Sequence, residues 1–315
     1  MEELKGLGTA LITPFKEDKT VDYEALARLL DTQLTGFVDF LVVLGTTAEA
    51  ATLTADEKKE VRQFIVNYVR NHPIPSPGGV LPLVLGVGGN NTAAVCAELA
   101  AMHDELIENY AAILSVCPYY NKPNQEGLFQ HFCKVADASP VPVILYNVPG
   151  RTGVNLLPET VMRIYNAHPD KICAVKEASG NLDQIKHLIS LSASETSGLS
   201  AKRSVSKAVC QQSGLLVLSG DDDLACELMQ AGADGLISVA SNAFPEDFWH
   251  IVHDKDATLQ ARYTDMIHLL FAEGNPTGIK AVLARQGLIA NSLRLPLVPA
   301  SPTLQEKICF SSVMI

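Results

Sequence analysis

Eight short apolar runs alternate with helical stretches up to residue 240, and this rhythm constrains the fold more than any other feature. The runs are 8–14, 40–47, 81–88, 111–118, 141–147, 172–178, 215–220 and 235–240. Most are continuously apolar rather than alternating, as parallel strands covered on both faces are. Between them, leucines at helical spacing mark 23–35, Thr54 and Thr92 mark the starts of 55–70 and 92–108, and candidate helices over 125–138, 158–167, 181–191 and 223–231 fill the remaining gaps. Thr54, followed by Asp56 and Glu57, is a candidate N-cap. Strand and helix in strict alternation require parallel pairing with right-handed crossovers. Eight such units predict an α/β fold, a (β/α)₈ TIM barrel over residues 1–240. Residues 241–315 are expected to form a helical extension packed on the barrel, with helices over 246–254, 257–273 and 277–287. The Ser-rich stretch 192–213 is expected to be a surface insertion, and 71–80 a similar loop.

An open doubly wound sheet is the structural alternative. Its dinucleotide fingerprint is missing: Gly86-Val-Gly-Gly-Asn-Asn91 lacks the third glycine and comes too late in the chain. The formal charge of −11 argues against nucleic acid and anionic membranes as partners. The seven cysteines are odd in number and form no Cys-x-x-Cys pair, which suits reduced thiols in the cytoplasm. No His/Cys spacing suggests zinc, and no signal peptide or membrane span is expected.

Catalytic groups of such barrels gather at the C-terminal strand ends. Lys176 closes the apolar run Ile172-Cys-Ala-Val175. If it points inward, desolvation disfavours its ammonium form, and a neutral amine can attack a ketone to form an imine. Taken alone, a lysine at a strand end is more often a surface residue. Glu177 should face the opposite way. Tyr146 ends the preceding run and could shuttle protons beside such an imine, though by itself it reads as a core-rim tyrosine. Arg151 lies in a loop, Val148-Pro-Gly-Arg-Thr-Gly153, that could hold its guanidinium for a carboxylate. Thr46 and Thr47, after Gly45, offer hydroxyls and backbone N–H groups for a carboxylate, or merely terminate a strand. Tyr119 and Tyr120 could serve a site or a subunit interface.

Five stretches in order carry a resemblance: Gly45-Thr-Thr-Ala-Glu49, Pro118-Tyr-Tyr-Asn121, Tyr146-Asn-Val-Pro-Gly-Arg-Thr-Gly153, Val175-Lys-Glu-Ala178 and Gly220-Asp-Asp222. With them the chain resembles the 4-hydroxy-tetrahydrodipicolinate synthase (dihydrodipicolinate synthase) family of the N-acetylneuraminate lyase superfamily, from Gly6 to Val298. The resemblance implies a class I aldolase-type lyase. It would condense pyruvate with L-aspartate 4-semialdehyde, in lysine and diaminopimelate biosynthesis. It implies Lys176 as the Schiff-base residue, with a covalent pyruvate imine and no cofactor. It implies Tyr146 as acid/base, and Thr46 as the link from Tyr146 to a Tyr120 contributed by a neighbouring subunit. Thr47 would hold the pyruvate carboxylate and Arg151 that of the semialdehyde. Gly220 and Ile237 match backbone positions lining the pyruvate pocket. The implied assembly is a homotetramer, a dimer of dimers.

Two departures stand out. Ala48 and Ala50 replace a glycine and a serine usual in the family, and Ala48 is expected to crowd its loop slightly. Positions matching the family's allosteric lysine site read Ala50, Ala55, Lys58 and Ala94, beside Asn90 and Tyr119. A cation at Lys58 and no acid at Ala94 disfavour an ammonium ligand, so feedback by lysine is expected to be weak or absent. Rival readings are a sialic-acid or 2-keto-3-deoxy-sugar-acid lyase sharing Lys176 and Tyr146, a non-catalytic keto-acid-binding barrel, and a dinucleotide-dependent oxidoreductase.

Overall fold

The computed structural model describes residues 2–74, 79–199 and 214–314. All eight expected strands are present: β1 Gly6–Ala10, β2 Phe40–Val43, β3 Leu83–Gly86, β4 Ala112–Val116, β5 Val143–Asn147, β6 Ile172–Glu177, β7 Leu216–Ser219 and β8 Gly235–Ser238. They pair in chain order in one closed barrel, and the registers run parallel. The continuous apolar runs have the expected cause. From Ile172 to Val175 no side chain is more than 1% exposed, so inward and outward positions are equally dry.

The chain divides into two compact units. The first comprises residues 1–5 and 83–237. In it the helix Gln125–Ala138 packs between Thr92–Ala101 and Pro158–Ala167, and the latter packs on Leu182–Leu199. The second comprises residues 6–82 and 238–315. It holds β1, β2, the helices Tyr23–Thr35 and Ala55–Asn71, and four helices near the C-terminus: Pro245–His253, Ala257–Phe271, Thr277–Arg285 and Pro302–Cys309. The helix Pro245–His253 packs directly on β1.

Polar residues just before helices start them. Thr54 and Glu57 form a reciprocal capping box at the head of Ala55–Asn71. Asn124 caps Gln125–Ala138 by accepting from the Gly127 N–H at 2.9 Å. Loss of such a cap costs about 1 kcal/mol.

Some boundaries differ from expectation. Residues 92–108 form two helices, because Met102 leaves helical geometry and shares its N–H between the carbonyls of Glu98 and Leu99. The helix expected over 181–191 runs on to Leu199, because serine and alanine are compatible with a helix interior as well as with a loop. The expected insertion therefore begins within a helix, and residues 200–213 of it lie outside the described residues, as do 75–78 of the loop 71–80. The helix Pro302–Cys309 was not expected; Pro302 at its first turn and Ser301 as its cap were its signals. Among the described residues, no helix is long and apolar enough to cross a membrane.

Candidate active site

The first unit brings together most of the residues singled out above. β5 and β6 pair so that Tyr146 lies opposite Lys176, and Asn147 opposite Glu177. Side chains alternate along a strand, so each pair occupies one face. Lys176 and Tyr146 are each only 6% exposed. The Lys176 Nζ stands 4.5 Å from the centroid of the Tyr146 ring. Among the described residues Lys176 makes no salt bridge, so no carboxylate neutralises this buried amine by direct contact.

The end of β7 closes on the same lysine. The Gly220 N–H donates to the Glu177 carbonyl at 2.7 Å. A Cβ at Gly220 would lie 2.9 Å from the Lys176 Cε and 2.6 Å from the Ala178 Cβ, so only glycine lets the backbone come this close. Next to it, Asp221 accepts from the Gly180 N–H at 3.1 Å. Burial pushes the Asp221 carboxyl up to about 6; Asp223 and Asp222 add to this, while the Gly180 N–H and Lys176 oppose it. Ile237, on β8, is fully buried.

The loops after β4 and β5 are tied together by the Tyr120 N–H, which donates to the Thr152 carbonyl at 3.3 Å. Tyr120 has a left-handed φ of 73° and is 87% exposed. A large aromatic side chain in that backbone region, facing solvent, is uncommon. Arg151 is exposed. Its segment is a short helix, Pro149–Thr152, rather than the loop expected. Pro149 supplies the preset φ of a first helical residue, and Gly153, left-handed at φ 74°, ends the turn.

In the second unit, Thr46 and Thr47 stand in a 3-10 turn, Thr46–Ala48, beyond the end of β2. Thr46 is exposed and Thr47 is buried. The Thr47 Oγ1 accepts from the Asn275 Nδ2 at 3.0 Å. Ala48 is buried within the turn and takes no left-handed φ, so the methyl in place of glycine is accommodated. The left-handed residue is Glu49, at φ 52°. Its carboxylate is held by Lys280 and by the Arg294 N–H, the latter at 3.1 Å. Among the described residues, no group of three or more His, Cys, Asp or Glu is arranged to hold a metal.

The residues Asn147, Asn275 and Lys280 had drawn no attention in the sequence. Asn147 and Glu177 carried a usable signal, being polar positions in apolar runs, each one residue past a candidate catalytic group. Asn275 had none, because its partner Thr47 is 228 positions away.

Comparison with known proteins agrees over almost the whole length. The model of the dihydrodipicolinate synthetase family matches residues 3–310. A 4-hydroxy-tetrahydrodipicolinate synthase from Parabacteroides distasonis is 46% identical over 97% of this chain and 95% of its own. The crystal structure of dihydrodipicolinate synthase from Thermotoga maritima superposes with a TM-score of 0.84 at 35% identity, over 96% of each chain. The chloride-inhibited enzyme from Acinetobacter baumannii, solved in complex with pyruvate, gives 0.84 at 33% identity, over 99% of this chain and 100% of its own. With strand order and full-length similarity in accord, the chain belongs to the dihydrodipicolinate synthetase family.

Proposed function

We propose that this protein is a 4-hydroxy-tetrahydrodipicolinate synthase that condenses pyruvate with L-aspartate 4-semialdehyde through an imine on Lys176, in lysine and diaminopimelate biosynthesis. The observation that carries the reading is the buried Lys176 amine, without a salt bridge among the described residues and 4.5 Å from the Tyr146 ring centroid. The pyruvate complex of the Acinetobacter relative supports pyruvate as first substrate.

In this mechanism the Lys176 amine attacks C2 of pyruvate, and loss of water gives the imine. Once protonated, the imine withdraws electrons, so C3 loses a proton and becomes an enamine carbon. That carbon forms the new C–C bond to the aldehyde carbon of the semialdehyde. The semialdehyde's own amine then attacks C2, closes the ring and releases Lys176. Tyr146 carries protons beside the imine. Thr46 passes them towards a Tyr120 from a neighbouring subunit, a role favoured by that residue's exposure and left-handed backbone. Thr47, with its hydroxyl oriented by Asn275, takes the pyruvate carboxylate. Arg151 takes the semialdehyde's carboxylate, while Gly220 and Ile237 bound the pyruvate. The active assembly is a homotetramer, a dimer of dimers, and the chemistry uses no cofactor. The compartment proposed is the cytoplasm. Feedback by lysine is weak or absent, because Lys58 and Ala94 disfavour an ammonium ligand.

The test is borohydride reduction after incubation with pyruvate, followed by peptide mass mapping. The expected adduct is on Lys176; an adduct elsewhere, or none, removes the mechanism. Turnover with aspartate semialdehyde should far exceed turnover with sugar aldehydes, since Arg151 suits a short carboxylated aldehyde; the reverse preference would favour a sugar-acid lyase. Tyr120→Phe should depress kcat in a correctly assembled protein, and sedimentation should report the tetramer. Strong inhibition by micromolar lysine would refute the expectation on feedback.

A further inference from the structure

Directly behind the Lys176–Tyr146 pair lies a second pair that the mechanism above does not use. Glu177 and Asn147 are opposite one another in the same register, one residue further along β6 and β5. Both are 0% exposed. The Glu177 carboxylate makes no salt bridge among the described residues, and a buried charge without a cation is costly unless its oxygens are fully hydrogen bonded. Here they are. The Asn147 Nδ2 donates to both oxygens, at 3.1 and 2.9 Å. The Ser179 N–H donates to Oε1 at 2.8 Å, and the Gln184 Nε2 to Oε2 at 3.1 Å. Burial raises the carboxyl's pKa, and these donors oppose the rise.

The cluster reaches further than the strands. The Asn147 Oδ1 accepts from the Leu156 N–H at 2.9 Å, and its Nδ2 also reaches the Asn155 Oδ1 at 2.8 Å. Asn155 and Gln184 exchange amide hydrogen bonds at 2.8 and 3.1 Å. The segment that carries Arg151 is therefore anchored at its far end to the carboxylate next to Lys176. An ionised carboxylate accepts at both oxygens and so suits donors on three sides.

We propose that Glu177 is a positioning residue. Its buried carboxylate clamps the outer face of the β5 and β6 ends, and so fixes the opposition of Tyr146 and Lys176 and the seat of the Arg151 segment. This inference rests on the imine mechanism proposed above. The donor and acceptor pattern supplies a sharp test. In Glu177→Gln, the new amide meets two donors whichever way it turns: Asn147 with Ser179, or Asn147 with Gln184. In Asn147→Asp, two carboxylates face each other. The double variant Asn147→Asp/Glu177→Gln exchanges donor and acceptor and restores the bond between them.

The experiment measures borohydride-trapped pyruvate adduct against time, together with kcat and KM, on folded wild type, both single variants, the double variant and Gln184→Leu. Each single variant should lose about tenfold or more in kcat and in trapping rate, since small misplacements of reacting groups carry penalties of that order. KM for the semialdehyde should rise as well, through the Arg151 segment. The double variant should recover part of the loss, because aspartate at position 147 no longer donates to the Asn155 Oδ1. Gln184→Leu, which removes one donor from the half-buried rim, should show a smaller loss in the same direction; it keeps the test available if a single variant does not fold. Wild-type trapping rates in the folded variants, or a double variant no better than its worse parent, overturn the positioning role while leaving the imine intact. Absence of an adduct in the wild type overturns the imine mechanism, and this inference with it.

Discussion

Each of the two units buries a lysine, and the two are buried to opposite ends. Lys280, in the second unit, is 0% exposed, paired with Glu49, bonded to the Ser292 carbonyl at 3.1 Å, and 4.2 Å from the Phe15 ring centroid. Burial lowers its pKa to about 8, and Glu49 opposes that shift. Its donors are committed to holding Glu49, the left-handed residue that follows the Thr46–Ala48 turn. Lys176, in the first unit, is almost as buried but has an aromatic face where Lys280 has a carboxylate. On the proposed mechanism, the partner rather than burial separates the structural lysine from the reactive one. A paired ammonium is stabilised in place, whereas an amine without a salt bridge among the described residues leaves its nitrogen available to a carbonyl substrate.

The largest expected effect separates the two directly. Lys176→Ala should lower turnover by more than about a thousandfold, because it removes the nucleophile itself, while the unfolding midpoint changes little. Retained turnover would break the assignment of roles. Lys280→Met should do the converse in kind, destabilising the fold by roughly 3–5 kcal/mol because Glu49 is left buried without its cation. Denaturant unfolding checks this, and an unaltered midpoint would show that the pair contributes nothing.

Thr47→Val sharpens the comparison at the substrate. It removes the hydroxyl oriented by Asn275, and the KM for pyruvate should rise by about tenfold, roughly 1.4 kcal/mol, with kcat less affected. An unchanged KM would take Thr47 out of pyruvate binding.

The smallest effect is in the pH dependence of stability, where the units should behave oppositely. The Arg294 guanidinium holds the Glu57 carboxyl down at about 2, below its ordinary 4.5. Its contribution is therefore present above pH 4.5 and lost as pH falls towards 2, about 1 kcal/mol after allowance for solvent. In the first unit, burial raises Asp221 from 3.8 to about 6, so its contribution is present below pH 3.8 and lost as pH rises through 6. Glu57→Gln should flatten the acid limb of the stability profile, and Asp221→Asn the limb between pH 4 and 6. Superimposable profiles for wild type and variants would contradict both.

The barrel was legible because its strands obey a local rule. A run such as Cys173-Ala-Val175 that is apolar at every position can be satisfied only by cover on both faces, and eight such runs leave few topologies. The start of Ala55–Asn71 was legible for a similar reason, since Thr54 bonds to an N–H three residues on. The site was legible in part. Lys176 and Tyr146 end neighbouring strands, so proximity followed from topology. The short helix at Arg151 and the 3-10 turn at Thr46 were hidden, because in turns of three or four residues proline, glycine and threonine fit several geometries.

The sequence alone determined the alternation of elements, hence the parallel barrel, and the ordered motifs that place the chain in its family, because these depend on periodicity and on residues near one another in the chain. Only the tertiary structure decided which buried lysine pairs with a carboxylate and which stands against an aromatic ring, and that Asn275 holds Thr47. It also decided that Glu177 and Asn147 lock together behind the site. Those contacts join residues from 30 to more than 200 positions apart, and hydrogen bonds and ion pairs depend on distance in space, which local spacing does not encode.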